Sequence, residues 1–321
     1  MKKFEDVNKI AVLGAGTMGP GIAQCFATGG YNVALWTRSE ATREKARVTL
    51  HKNLETFAEE GVIDHKDIEA IFGRVEFPLT VSQAVKNAEL VMETIVENAD
   101  AKKELYAELD GMLPEDTIIA SNTSFLNIFE IMPERRLPCT VIAHWYSPPQ
   151  LIPLVEVVKN EKTYPEYADI ALKLLEKCGK TAVPMKKFIR GYIVNRMQMC
   201  MNQELFYLLD NDYCTPEDLD KAVKASIIPR AMVLGLCQRA DFGGLDMTAN
   251  NYRNKSYQLP PENPMPKTLA EHVEKGELGF KTGKGFYDYS GKDKQEILRK
   301  RDKQLFEAFK LAKKLMEDPL V

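Results

Sequence analysis

The chain is poor in histidine and tryptophan, and its six cysteines (Cys25, Cys139, Cys178, Cys200, Cys214 and Cys237) contain no C-x-x-C pair. Such scattered thiols argue against a disulfide framework or a zinc site, and for reduced cysteines in a cytosol. No apolar run reaches membrane-spanning length. The stretch from Met1 to Asp6 starts basic but has no apolar core behind it, unlike a secretory signal. A soluble, cytoplasmic protein is therefore expected. Charge excess is also small: a formal net charge of −3 provides no global field for nucleic acid or a membrane surface. Neither repeats nor low-complexity segments occur. What is present is 321 residues, 45% of them hydrophobic, enough to bury a sizeable core and form two domains.

The most informative stretch is Gly14-Ala15-Gly16-Thr17-Met18-Gly19. The apolar run Lys9 to Leu13 precedes it and reads as a buried strand; the helical periodicity of Gly21 to Ala27 follows. A strand, then G-x-G-x-x-G, then a helix is the first turn of a dinucleotide-binding βαβ unit. Gly14 permits the tight turn, Gly16 lets backbone approach a pyrophosphate, and Gly19 lets the helix close on the strand. Freed N–H groups and the helix dipole then hold the phosphates. Taken alone the hexapeptide is a glycine-rich turn; its flanks make it a cofactor loop.

The second strand reads as Tyr31 to Trp36, and it lacks the Asp or Glu that normally follows and binds the ribose 2′-OH of NAD. Thr37 and Arg38 stand there instead. Arg38 suits a charge-assisted contact to a 2′-phosphate, favouring NADP(H). The alternative is that Arg38 stacks on adenine and NAD binds without the acidic contact.

Strand-like runs recur at Leu90 to Met92, Thr117 to Ala120, Thr140 to Ala143 and Leu154 to Val158, separated mostly by charged helical stretches such as Ala41 to Glu60 and Ala99 to Leu109. This alternation implies an α/β domain with a mostly parallel sheet. Near Lys186 to Gly191 the character changes to long helical periodicities. A boundary at 188/189 is expected, giving a Rossmann-type dinucleotide-binding domain over 1–188 and an all-helical substrate and dimerisation domain over 189–321. In the charged tail, Leu298, Leu305, Phe309, Ala312 and Met316 fall on one helical face.

Several separated stretches together resemble the 3-hydroxyacyl-CoA dehydrogenase family. They are Gly14 to Gly19, Val91 to Asn98 with Lys102, Ser121 to Ser124, His144 to Val158, Gly191 to Arg196 and Leu278 to Tyr287. The residues themselves point to the same chemistry. Oxidising a secondary alcohol by hydride transfer needs a base for the hydroxyl proton, and a group titrating near neutrality is favoured. Of the four histidines (His51, His65, His144, His272), His144 closes an apolar strand at the sheet edge, and the others lie in charged contexts. Glu156, between Val155 and Val157, needs a partner and reads either as one half of a structural ion pair or as the residue that orients His144. The resemblance implies the latter. It also places Ser124 and Asn195 around the substrate oxygen and nicotinamide, and Glu97, Lys102 and Lys281 against the dinucleotide. Ser121 reads as part of the turn. A homodimer is implied by the family.

Three departures bear on the substrate. The family's H-x-x-N-P box reads His144-Trp145-Tyr146-Ser147-Pro148, and Ser147 cannot make the paired amide contacts of Asn toward the nicotinamide. The family's basic helical stretch for the CoA phosphates is replaced by Leu54 to Glu60, containing Glu55, Glu59 and Glu60, although His51, Lys52 and Lys66 remain nearby. The M-G-P segment becomes Leu234-Gly235-Leu236-Cys237, with Arg239 following. A 3-hydroxyacyl thioester is the expected substrate class. The alternative is a free 3-hydroxy acid, because Pro148-Pro149 and Ile152 to Glu156 are as close to the gulonate and carnitine dehydrogenase branches. A dinucleotide-binding sensor or structural protein is the competing class, which loss of the His–Glu pair would have favoured; both residues stand.

Overall fold

The computed structural model describes residues 2–320, divided into two compact units, 2–193 and 194–320. The first is built on β1 (Lys9–Leu13), β2 (Asn32–Trp36), β3 (Val75–Glu76), β4 (Leu90–Glu93), β5 (Ile118–Ser121), β6 (Thr140–Trp145), β7 (Leu154–Val158) and β8 (Thr181–Met185). Its helices are α1 (Gly19–Thr28), α2 (Glu40–Glu59), α3 (Ile68–Phe72), α4 (Val81–Val85), α5 (Ala99–Met112) and α6 (Pro165–Lys177). Ser39, Thr80 and Asn98 cap α2, α4 and α5 by accepting from backbone N–H groups of the first turn.

The strands form one sheet in the order β3-β2-β1-β4-β5-β6-β7-β8. All neighbours are parallel except β6 and β7. Side chains alternate between two apolar layers, because successive strand residues point to opposite faces. Ile10, Val12, Val141 and Val155 pack with Ile22, Leu50 and Leu174 on one side. Ala11, Leu13, Ile119 and Ile142 pack with Ala84, Leu105 and Leu109 on the other. Between β1 and β4 the order of crossing reverses, and α/β sheets bind ligands at such a point.

Two strands escape a sequence reading. β3 has only two residues, and β8 contains Pro184, which removes a ladder donor and is tolerated at the sheet edge. The first unit also runs past residue 188, because Tyr192 is buried on the sheet with its ring against Phe188.

The second unit is helical: α7 (Val194–Asp210), α8 (Pro216–Ala222), α9 (Ile228–Gly243), α10 (Leu245–Arg253), α11 (Lys267–Glu274) and α12 (Lys294–Glu317). A π-helical turn, Val223–Ile227, joins α8 to α9. Gly235, at φ 64° and ψ −169°, interrupts α9, so the departure from M-G-P falls at a break in the helix. On α12, Phe306 is the buried side chain, and Met316 is exposed despite lying on the expected apolar stripe.

Candidate active site

The carboxyl ends of the parallel strands carry the glycine loop after β1, Thr37-Arg38 after β2, Thr94 to Glu97 after β4 and Asn122 to Ser124 after β5. Gly14 has φ 120°, and a Cβ there would come within 2.5 Å of the Thr94 carbonyl oxygen. A Cβ on Gly19 would meet the Gly14 carbonyl oxygen at 1.9 Å. Gly16 differs: it is exposed, and no protein atom lies within 4 Å of a Cβ built on it. Two glycines are thus demanded by packing, while the third leaves backbone open in front of α1. That arrangement fits a pyrophosphate lying against the loop. Thr17 is exposed and Met18 half-buried beside it.

Thr37 is buried and Arg38 exposed. Arg38 lines a cavity of about 390 Å³ with Trp36, Ile95, Glu104 and Glu108, the last two from one face of α5.

His144 and Glu156 are directly paired residues of the antiparallel β6–β7 ladder. Facing positions place both side chains on one face of the sheet. His144 Nδ1 lies 3.1 Å from Glu156 Oε2, and both side chains are almost wholly buried. The Tyr146 hydroxyl donates to the same oxygen at 2.7 Å, and the Ile193 N–H donates to Oε1 at 2.9 Å. The imidazole is flanked by the rings of Tyr146 and Tyr192, with centroids 4.6 and 4.9 Å away. Tyr192 adopts a left-handed φ of 52° and donates its hydroxyl to the Thr123 carbonyl at 2.9 Å. Burial, with the negative charges of Glu97 and Glu156, pushes its phenol above the usual tyrosine range.

Ser124 is held from the other direction. Glu97 Oε1 accepts from the Thr123 hydroxyl at 2.7 Å and from the Ser124 and Phe125 N–H groups at 2.8 and 3.2 Å. Burial works against its ionisation, but these donors and nearby Lys102 outweigh it and hold the carboxyl below its ordinary range. Asn122 ties neighbouring strand ends together, accepting from Trp145 N–H at 2.8 Å.

The Lys102 side chain is 1% exposed, with Nζ 2.6 Å from Glu93 Oε1 and 3.5 Å from Glu97 Oε2. An ammonium removed from water is stable only when paired, and here the pairing is internal. The Lys102 charge is answered by Glu93 and Glu97, so its direct effect falls on Glu97. Ser121 closes β5, not a turn, and its hydroxyl donates to Glu93 Oε2 at 2.5 Å. Ser147 is exposed after β6. Asn195 is half-buried in the first turn of α7, and Lys281 is exposed in the Gly279 to Tyr289 turn region, both in the second unit.

The sequence reading passes over Glu93, Asn122, Thr123, Tyr146 and Tyr192. For Glu93 a signal exists, since it closes the apolar run Leu90 to Met92 much as Glu156 interrupts its own. Tyr146 and Tyr192 give none, because their contacts depend on how distant strands align.

Residues 9–188 match the family model of the 3-hydroxyacyl-CoA dehydrogenase NAD binding domain, and residues 191–289 match that of the C-terminal domain. The chain belongs to the 3-hydroxyacyl-CoA dehydrogenase family. It is an NAD-dependent oxidoreductase by that membership. A probable 3-hydroxybutyryl-CoA dehydrogenase from Bacillus subtilis is 35% identical over 290 residues, covering 89% of this chain and 99% of that protein. The 5-formyl-3-hydroxy-2-methylpyridine 4-carboxylate 5-dehydrogenase of Mesorhizobium japonicum is 30% identical over 303 residues, covering 93% of this chain and 96% of that protein. A crystal structure of a dehydrogenase of that activity, described as an NAD+-dependent dismutase, superimposes with a TM-score of 0.86 at 28% identity, covering 96% of this chain and 99% of that one.

Proposed function

We infer that the enzyme moves a hydride between NAD and C3 of a 3-hydroxyacyl or 3-oxoacyl substrate, with His144 as acid–base. The observation that carries this reading is the buried His144–Glu156 pair on the edge that also bears the glycine loop. When bound, NAD supplies the hydride acceptor or donor. Gly14 to Gly19 would hold its pyrophosphate. With Nδ1 turned to Glu156, Nε2 is the nitrogen left to take the hydroxyl proton in oxidation and return it in reduction. Glu156 fixes the ring and stabilises the imidazolium that forms. The family resemblance assigns Ser124, whose backbone Glu97 pins, and Asn195 to the substrate oxygen, and Glu97, Ser147 and Lys281 to the dinucleotide.

On the cofactor, the NADP preference suggested by Thr37-Arg38 gives way to NAD. Glu104 and Glu108 share the Arg38 cavity, and two carboxylates beside one guanidinium disfavour an added 2′-phosphate.

A free acid in place of the thioester is the second reading, and specific observations support it. His51 lies between Glu55 and Glu69, at 3.4 and 3.1 Å, and Lys66 is 3.1 Å from Asp64. Two of the three basic residues left near α2, His51 and Lys66, are thus themselves matched by carboxylates.

Following reduced-nicotinamide absorbance with acetoacetyl-CoA, acetoacetate and an aromatic aldehyde acid separates these readings. Turnover of the thioester supports the first. Turnover of free acids alone overturns it in favour of the second.

A cytoplasmic homodimer completes the reading. Phe242, Leu245, Met247 and Tyr252 leave apolar surface exposed in the helical unit, which a second copy would cover, and all six thiols are free. Light scattering at twice the chain mass is the expected result.

A further inference from the structure

Tyr146 follows His144 by two residues, just past the end of β6, and lies on the same side of the sheet as the His144–Glu156 pair that it touches. Its hydroxyl reaches Glu156 Oε2 at 2.7 Å, the oxygen that His144 Nδ1 approaches at 3.1 Å. Its ring meets the imidazole edge to face. Two donors therefore share one carboxylate oxygen, one of them the nitrogen whose tautomer the chemistry depends on.

We propose that Tyr146 is a positioning residue for the reaction: by donating to Glu156 Oε2 it sets how strongly that carboxylate holds the His144 Nδ1–H. A hydrogen bond to the charged form of a carboxylate stabilises that form and weakens it as an acceptor for a second donor. The Ile193 N–H holds the other oxygen at 2.9 Å, so the carboxylate is gripped at both ends. With the Tyr146 hydroxyl absent, the Nδ1–H···Oε2 bond shortens and draws the ring toward Glu156, away from its place beside the substrate oxygen. The proposal rests on His144 being the acid–base.

The test is Tyr146→Phe, which keeps the ring and its packing and removes the donor. Two readouts are needed: kcat with KM, and the downfield proton resonance of the His144 Nδ1–H in protein carrying 15N-labelled histidine, assigned by its loss in His144→Gln. Expected are a kcat reduced about three- to tenfold, on the scale of one hydrogen bond, a nearly unchanged KM, and a resonance moved further downfield. Site-specific 3-fluorotyrosine at 146, a stronger donor, should move the same resonance upfield, and it serves if the Phe variant folds poorly. An unmoved resonance, or a moved one with unchanged kcat, overturns the proposal. Retained turnover in His144→Gln instead overturns the acid–base reading beneath it.

Discussion

Glu93 and Glu156 are two fully buried carboxylates on the same face of one sheet, and they face different bases. Each accepts from a backbone N–H, Ile95 for Glu93 and Ile193 for Glu156, and each from a tyrosine, Tyr106 and Tyr146. Glu93 also accepts from the Ser121 hydroxyl, and the base it faces is the ammonium of Lys102. For Glu156 it is His144, which is charged only while it carries an extra proton. A permanent countercharge makes a structural joint. A titratable one makes a site that can hand a proton on and take it back.

That contrast can be broken most severely at His144. His144→Gln should lower kcat by about 10²–10⁴-fold, the usual share of general acid–base catalysis, and leave NAD affinity, measured by calorimetry, within about twofold. Turnover surviving within tenfold would put His144 outside the chemistry. At the other carboxylate the loss should appear in stability. Glu93→Leu leaves Lys102 buried without its nearest countercharge and should cost about 3–5 kcal/mol in urea unfolding. Adding Lys102→Met should recover a large part of that loss, and strict additivity of the two would show that the pair is not coupled.

Glu156→Gln sharpens the comparison from the catalytic side. It should reduce kcat about 10–100-fold, by failing to stabilise the imidazolium, with a smaller stability loss than Glu93→Leu. A larger stability loss would mean that the two sites are structural alike. The smallest effect is expected at Glu97. Its carboxyl is held below the ordinary range, so the stability it contributes is fully present above that range and is lost as pH falls through the lowered value. The difference in melting temperature between the enzyme and Glu97→Gln should therefore be largest at neutral pH and vanish in acid. A gap that persists in acid would assign the effect to packing.

Much of this was legible in the order of residues. The flanks of Gly14 to Gly19 identified the phosphate loop because turn, strand and helix signals are local. His144 stood out by elimination among four histidines, and Glu156 because a carboxylate in a valine strand demands a partner. The burial of Lys102 was not legible, because a lysine on an amphipathic helix would by itself pass for solvated surface, and nothing nearby in sequence says that Glu93 closes over it. The surroundings of Arg38 were not legible for the same reason: the carboxylates that line its cavity, Glu104 and Glu108, lie on a helix that begins only after two further strands.

From the sequence alone came the two-part architecture and the cofactor loop, since strand alternation, helical period and turn chemistry each act over a few residues; the resemblance to the family added the expectation that His144 and Glu156 work as a pair. Tertiary structure decided which carboxylate meets which cation. The antiparallel register of β6 and β7 sets His144 opposite Glu156, and the closure of α5 over β4 buries Lys102 against Glu93. Register and crossover are non-local: a slip of one residue in β7 would set Glu156 on the face opposite His144.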